Sequence, residues 1–397
     1  MSAPLAGIKV LDLSRVLAGP FAGRMLSDLG ADVVKVEPPE GDITRLWGRK
    51  IAGLSGYYVQ HNAGKRDISI DLKAPEGVDL ARRLAGQADI LLENYRPGVM
   101  ARLGLDYDTL QGLNPGLIML SISGFGADSP EAGRAAYAPI IHAETGLVHG
   151  QSQRTAMAGG EASAPVELVT SIADTNAGLH GLVAVLAALH LRTSTGLGQH
   201  IDLSMVDATR VTDDRAHFAL DGIRGQEPLN AEVWETAGGP LMISADFRFV
   251  WQRLQAVFDL ADPTPSGAEL EDKIRCRREA TWTFFNETLK DRAAVIDALD
   301  RMNLAWGDVR TRATSADLPS VAHRQSIAYV DDRAGGERPV PQTPYRLSNA
   351  DTGVRGGAPF LGEHNLEVLQ EWLDLDAAEL EGYAEVLHTE AREDHGS

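Results

Sequence analysis

Asp174 is the residue whose position most directly suggests chemistry, because it begins the most apolar predicted helix, residues 174–192. An aspartate there commonly caps a helix by accepting a hydrogen bond from an N–H group of the first turn. The same N–H groups and the helix dipole favour the ionised carboxylate. An ionised carboxylate that faces a cleft can act as a nucleophile. The pattern alone leaves both roles open and favours capping.

Basic residues recur near the ends of predicted strands, where they could bind an anion: Arg15, Lys35, Lys73, Arg96 and Arg102. Each of these residues, taken alone, could equally be an ordinary solvated charge on the surface. Parallel α/β sheets bind ligands at the carboxyl ends of their strands. Several cations at that edge would suit the phosphates of a nucleotide or of CoA.

Common catalytic and nucleotide-binding motifs are missing from the sequence. Residues 18–23 place a proline and a phenylalanine where a pyrophosphate requires bare backbone, so nicotinamide binding is disfavoured. No P-loop, H-E-x-x-H pair or G-x-S-x-G elbow occurs. The single cysteine, Cys276, excludes a disulfide within the chain and a Cys-rich zinc site, and no metal is expected. His180 and His190 are predicted to be core histidines of the apolar helix.

The composition restricts the class of partner. A length of 397 residues suggests two domains, and a net charge of −19 argues against nucleic acid. A small anionic ligand stays possible, because cations can cluster locally in an acidic protein. The amino-terminal residues form no signal peptide, and we find no apolar segment of the roughly 20 residues that span a bilayer. We therefore expect a cytoplasmic protein with no membrane partner.

The hydrophobic pattern predicts an α/β fold, with a large parallel-sheet domain and a second, smaller domain. Strands and helices alternate with short loops, which is typical of a parallel sheet. The predicted strands are residues 8–13, 31–37, 67–72, 88–93 and 117–123, and residues 18–20 form a turn before a helix at 21–29. We assign residues 1–215 and 335–397 to the large domain and 225–330 to the small one.

Four segments carry a resemblance to a known family: residues 4–37, residues 65–104, residues 174–199 and residues 360–364. On these segments the chain resembles the class III CoA-transferases, a family that includes carnitine dehydratase, formyl-CoA transferase and α-methylacyl-CoA racemase types. The resemblance implies a Rossmann-like large domain and a smaller α+β domain in each chain, and a homodimer of two interlocked rings. CoA would lie across the strand ends of the large domain. The same resemblance implies acyl-CoA and a carboxylic acid as substrates, and no tightly bound cofactor.

The resemblance also implies a mechanism with Asp174 as the nucleophile. Its carboxylate would attack the donor thioester, giving a mixed anhydride and CoA thiolate. The thiolate would then form an aspartyl thioester, and the acceptor acid would reverse these steps. The implied CoA contacts are Leu17, Ala18, Ile70, Asp71, Leu72, Lys73, Asn94, Tyr95, Arg96, Arg102, Ala136, Tyr137 and Ala138. Pro38 stands where the oxalate enzymes have an arginine, so a cation for the nucleotide phosphates is missing or comes from elsewhere. The glycine-rich loop of those enzymes is absent or reduced to Gly238-Gly239, which argues against oxalate as acceptor.

Two other functions remain open at this stage. An acyl-CoA racemase would pair Asp174 with a second acid–base group, either Tyr137 or His142. A non-catalytic protein that binds CoA esters would keep the contacts and lose the chemistry. For the transferase, Arg15 beside the first turn could hold a second carboxylate of the substrate, as in succinate, malate or mesaconate.

Overall fold

Two units divide the chain in the computed structural model, which describes residues 2–157, 165–222 and 230–389. The large unit comprises Met1–Val148, Glu167–Ala216 and Pro319–Ser397, and the small unit comprises His149–Val166 and His217–Leu318. The predicted domains differ from these units, because residues 149–166 fall in the small unit and residues 319–330 in the large one. The predicted start of the small domain, residue 225, lies outside the described residues.

The strands are β1 Lys9–Asp12, β2 Asp32–Glu37, β3 Lys50–Ile51, β4 Leu54–Ser55, β5 Arg66–Ser69, β6 Ile90–Glu93, β7 Ile118–Ser123, β8 His200–Ser204, β9 Glu232–Trp234, β10 Leu241–Ile243, β11 Trp306–Asp308, β12 Ile327–Asp331 and β13 Glu337–Pro341. The helices up to the small unit are α1 Ala18–Asp28, α2 Gly56–Asn62, α3 Pro75–Gln87, α4 Val99–Leu103, α5 Tyr107–Gln111, α6 Ala138–Glu144, α7 Leu147–Met157, α8 Ile172–Thr195, α9 Met205–Thr212 and α10 Ala216–Leu220. The remaining helices are α11 Phe247–Phe258, α12 Leu270–Thr283, α13 Arg292–Arg301, α14 Arg312–Ser315, α15 Pro319–His323, α16 Asn365–Leu373 and α17 Ala377–Glu381, and a short 3-10 helix covers Ile43–Leu46.

The six-stranded sheet of the large unit is parallel throughout, in the order β5-β2-β1-β6-β7-β8. This is the strand order of the Rossmann fold. The first three strands extend to one side of the sheet, and the next three extend to the other side, beginning beside β1. Successive residues of β1 enter different cores, with Val10 on one face and Leu11 on the other. Both faces are therefore buried, as expected for a parallel sheet covered by helices.

Helix α1 begins at Ala18, so the turn predicted at residues 18–20 is wrong. Its proline is the third helical residue, and the N–H of a residue in the first turn has no helical partner, so proline is tolerated there. Helix α1 packs closely on α8 because Gly178 lacks a side chain. A Cβ at Gly178 would lie 2.7 Å from the carbonyl oxygen of Ala18. This contact brings Asp174, one turn earlier on α8, to the beginning of α1.

Helix α8 buries only one side, although it is the most apolar helix that the sequence predicts. Leu179, Val183 and Leu191 are exposed, and so is His190, for which the core-histidine prediction is wrong. The helix has 24 residues and is long and apolar enough to cross a membrane by length and composition alone, which corrects the expectation that no such segment exists. One such helix is weak evidence for a membrane span, because core helices of other proteins meet the same criterion.

The small unit has an antiparallel sheet in the order β11-β10-β9. Its core is formed by residues of this sheet together with α11, α13 and the segment around Phe285. The hairpin β12–β13 belongs instead to the large unit, because Val330 and Val340 pack with Leu54 and Tyr58. This packing explains why residues 319–330 do not follow the predicted boundary.

Candidate active site

A cavity of about 270 Å³ lies at the carboxyl ends of β1, β6 and β7. Strands β1 and β6 are the neighbours at which the strand order reverses, the position where open α/β sheets bind ligands. The structure brings together at this cavity many of the residues predicted from sequence: Arg15, Ala18, Asn94, Tyr95, Arg96, Ala136, Tyr137 and Asp174.

Asp174 is the third residue of α8, and Ser171 occupies the cap position, so the capping role considered for Asp174 is wrong. The backbone N–H groups of Ala138 and Ala18 lie near the Asp174 carboxylate and act to lower its pKa. These are the first residues of α6 and α1, whose N–H groups have no partner within their own helices.

Burial raises the pKa of Asp174 to about 6, although the two neighbouring backbone N–H groups act to lower it. The expectation that the helix terminus would favour the charged form is therefore outweighed by desolvation. At neutral pH the carboxylate is still ionised but poorly hydrated. A poorly hydrated carboxylate is a better nucleophile than one surrounded by water.

Glycine at position 124 allows the segment that carries Tyr137 to close over the end of β7. A Cβ at Gly124 would overlap the Cβ of Ala136 at 2.3 Å. The same segment supplies the Ala138 N–H that lies near the Asp174 carboxylate. The position of one hydrogen-bond donor therefore depends on this close approach.

Several predicted contact residues do not line the cavity. Ile70 is fully buried in the core, and Leu17 is buried as the cap residue of α1. The Asp71 N–H donates to the Val386 carbonyl, which places this strand end against the carboxyl-terminal segment. The exposed Lys73 pairs with Glu40 at 3.2 Å. The others, Leu72, Arg102 and Ala138, also lie outside the lining, although Ala138 contributes its backbone N–H.

His142 is buried and outside the lining of the cavity. Its Nε2 accepts a hydrogen bond of 3.1 Å from the Ala173 N–H, so it caps the first turn of α8. Burial lowers the pKa of His142, which keeps the ring neutral. The side chain therefore supports the helix that carries Asp174.

Three arginines line the cavity, and sequence reasoning missed one of them. Arg134 pairs with Glu131 and Glu144 and lies over the ring of Phe125. Arg15 and Arg96 are exposed and form no ion pair within the described residues. Two guanidinium groups without an ion-pair partner among the described residues therefore line the same cavity as Asp174.

Tyr57 is a second residue that sequence reasoning missed, since it follows no predicted strand. Burial raises its pKa to about 12, and the charges of Asp174 and Asp42 act in the same direction. The ring lies against Trp47 and His61, with centroid separations of 5.1 and 4.9 Å. Tyr57 is thus close enough to Asp174 to sense its charge and keeps its hydroxyl protonated.

A buried ion pair between Lys65 and Asp12 lies at the carboxyl end of β1. Lys65 Nζ lies 2.8 Å from Asp12 and also donates to the carbonyl of Pro20 in α1. Both side chains of the pair are fully buried. The pair therefore ties the end of β1 to the beginning of α1, on which the Ala18 N–H depends.

A Rossmann-order sheet with a buried carboxylate at its switch point is typical of an α/β enzyme. Residues 5–365 match the family model CoA-transferase family III. The chain belongs to that family and is a CoA-transferase, an enzyme whose substrates are CoA esters.

Curated relatives and a solved structure agree with this assignment. A succinate–glutarate CoA-transferase of Agrobacterium fabrum is 33% identical over 93% of this chain and 95% of its own length. A succinyl-CoA–D-citramalate CoA-transferase of Chloroflexus aurantiacus is 34% identical over 95% of this chain and 96% of its own. The crystal structure of a CAIB/BAIF family protein from Brucella suis has a TM-score of 0.77 and 29% identity, covering 94% of this chain and all of that one.

Proposed function

We propose that Asp174 carries the acyl group and then CoA as covalent intermediates. The observation that supports this most is its carboxylate, which lies in the cavity between the N–H groups of Ala18 and Ala138. One carboxylate oxygen attacks the carbonyl carbon of the donor thioester, and the C–S bond breaks to release CoA thiolate and leave a mixed anhydride. The thiolate attacks the aspartyl carbonyl, so the donor acid leaves and an aspartyl thioester remains.

The acceptor acid completes the exchange by the reverse steps. Its carboxylate attacks the aspartyl thioester, and the thiolate returns to the acceptor's carbonyl carbon, which frees Asp174. No further cofactor is needed, because CoA itself supplies the thiol. In each attack on the aspartyl carbonyl, the Ala18 and Ala138 N–H groups can stabilise the developing oxyanion.

We infer that the acids are dicarboxylates. Two relatives are named for succinate, glutarate or D-citramalate, all of which have a second carboxylate. Arg15 lines the cavity and has no ion-pair partner within the described part of the chain. A guanidinium group can hold the second carboxylate by paired, charge-assisted hydrogen bonds.

Replacing Arg15 tests the dicarboxylate assignment. We expect Arg15→Ala to reduce kcat/KM for the best dicarboxylate by roughly 10- to 150-fold, equivalent to about 1.5–3 kcal/mol for a charged hydrogen bond. Monocarboxylic acceptors should lose less than about twofold. The measurement is a screen of acyl-CoA donors against acids for both proteins, with Arg82→Ala, an arginine outside the cavity, as the matched control. Equal losses for both acid classes would remove Arg15 from the binding of the second carboxylate.

We also propose that the enzyme is a homodimer of interlocked rings. The exposed apolar side of α8, formed by Leu179, Val183 and Leu191, supports this proposal, because such a surface can bind a second subunit. An obligate dimer should sediment as a single dimeric species at micromolar concentration. A stable, folded monomer under those conditions would contradict the proposal.

A further inference from the structure

Val16 adopts a backbone conformation that is unusual for its residue type. Its φ is 69°, in the left-handed region, which β-branched residues rarely occupy. Val16 lines the same cavity as Asp174 and lies two residues before Ala18, whose N–H is near the Asp174 carboxylate and lowers its pKa. Such strain persists only where the surroundings hold the backbone firmly, and it occurs preferentially at functional sites.

Side chains from three other segments hold the turn formed by residues 14–16. The Asn94 amide accepts from the Arg15 N–H and donates to the Arg15 carbonyl, both at 2.8 Å. Lys35 Nζ donates to the carbonyl of Ser14 at 2.8 Å. These contacts fix the turn up to the residue that precedes Val16.

Asp42 holds Val16 itself, since its Oδ2 accepts the Val16 N–H at 3.0 Å. The carboxylate is buried and is fixed in turn by the Thr44 N–H at 3.0 Å and by Lys35 at 3.3 Å. Asp42 therefore joins the strained residue to a rigid network that lies outside the cavity.

We propose that Asp42 is a positioning residue for CoA transfer: by keeping Val16 in the left-handed conformation, it aims the Ala18 N–H at the Asp174 carboxylate. The inference rests on the proposed role of Asp174 as nucleophile. Asp42 does not line the cavity, so it acts through Val16 and touches no reacting atom. If Val16 relaxes to negative φ, the following peptide planes rotate, and only Leu17 separates Val16 from the donor at Ala18.

The test is a double-mutant cycle between Asp42 and Val16. Asp42→Asn keeps the shape of the side chain but turns one of its acceptor oxygens into a donor. We expect it to lower kcat by about 50-fold with KM for the CoA ester changed by less than about threefold, in line with the cost of a small misplacement at a reacting centre. Glycine adopts positive φ without strain. In the Val16→Gly background, Asp42→Asn should therefore lower kcat by less than about fivefold.

Asp28→Asn is the matched control, because Asp28 is also buried and ion-paired, with Arg24, but has no contact with the turn. Both single variants should lower Tm, and only Asp42→Asn should lower kcat. Equal kcat losses for the two, or the same Asp42→Asn loss in both Val16 backgrounds, would overturn the inference.

If Asp42→Asn does not fold, Asn94→Ala replaces it in the cycle, because the half-buried Asn94 holds the same turn. The same coupling to Val16→Gly is expected, and additive losses would contradict it. Absence of CoA transfer by the wild-type protein across the acid panel would overturn the proposed function and this inference together. Normal wild-type transfer with additive losses overturns this inference alone.

Discussion

Asp174→Ala is expected to lower kcat for CoA transfer by at least about 10⁴-fold, the order of loss when the nucleophile of a covalent catalyst is removed. The variant has no group that can accept the acyl chain or CoA. The remaining residues of the cavity can still bind the CoA ester, since Asn94, Arg96 and Tyr137 do not depend on Asp174. The dissociation constant for CoA should therefore change by less than about threefold.

Asp174→Asn makes the comparison sharper, because it keeps the size of the side chain and one acceptor oxygen. It should be as inactive as Asp174→Ala if the carboxylate reacts covalently. Steady-state kinetics and calorimetric CoA titration of both variants provide the measurement. Transfer above about one per cent of the wild-type rate in either variant would assign the covalent step to another residue.

The second large effect that we expect is on stability, because burial of the ionised Asp174 carboxylate lowers the free energy of unfolding. The pKa of Asp174 is raised to about 6 from an unfolded value of 3.8, chiefly by burial. A raised carboxyl pKa contributes stability that is present below pH 3.8 and is lost as pH rises through 6. This shift of the Asp174 pKa changes the free energy of unfolding by about 2–3 kcal/mol between these two pH values.

We therefore expect the free energy of unfolding of the wild type, relative to Asp174→Asn, to fall by about 2–3 kcal/mol between pH 4 and pH 7. Denaturant titrations of both proteins at pH 4, 5, 6 and 7 give this difference directly, because contributions from other titrating groups cancel. A difference that stays constant or rises with pH would mean that the carboxylate is not desolvated as the structure indicates.

Local sequence patterns predicted the parallel sheet well. Short strands separated by helical segments indicate a parallel sheet, and the basic residues that follow those strands necessarily meet at one edge. Arg15 and Arg96 come together there for that reason. The resemblance to CoA-transferases rests on the same half of the chain and is confirmed by the family match.

Features that depend on tertiary contacts could not be predicted in this way. The sequence placed Asp174 at a helix start, but its protonation depends on burial between α1 and α6, which no local pattern reveals. The left-handed Val16 runs against its own propensity and exists only because distant side chains hold it. Arg134 and Tyr57 follow no predicted strand, and the hairpin β12–β13 packs far from its sequence neighbours.

The central claim, that Asp174 forms a covalent intermediate, is tested most directly by trapping during turnover. Hydroxylamine added to the enzyme with an acyl-CoA donor should convert the aspartyl anhydride or thioester to an aspartyl hydroxamate. Peptide mass spectrometry should locate that modification at Asp174, with none in the absence of donor and none in Asp174→Asn. Modification at another residue, or full turnover with no modification at Asp174, would contradict the account.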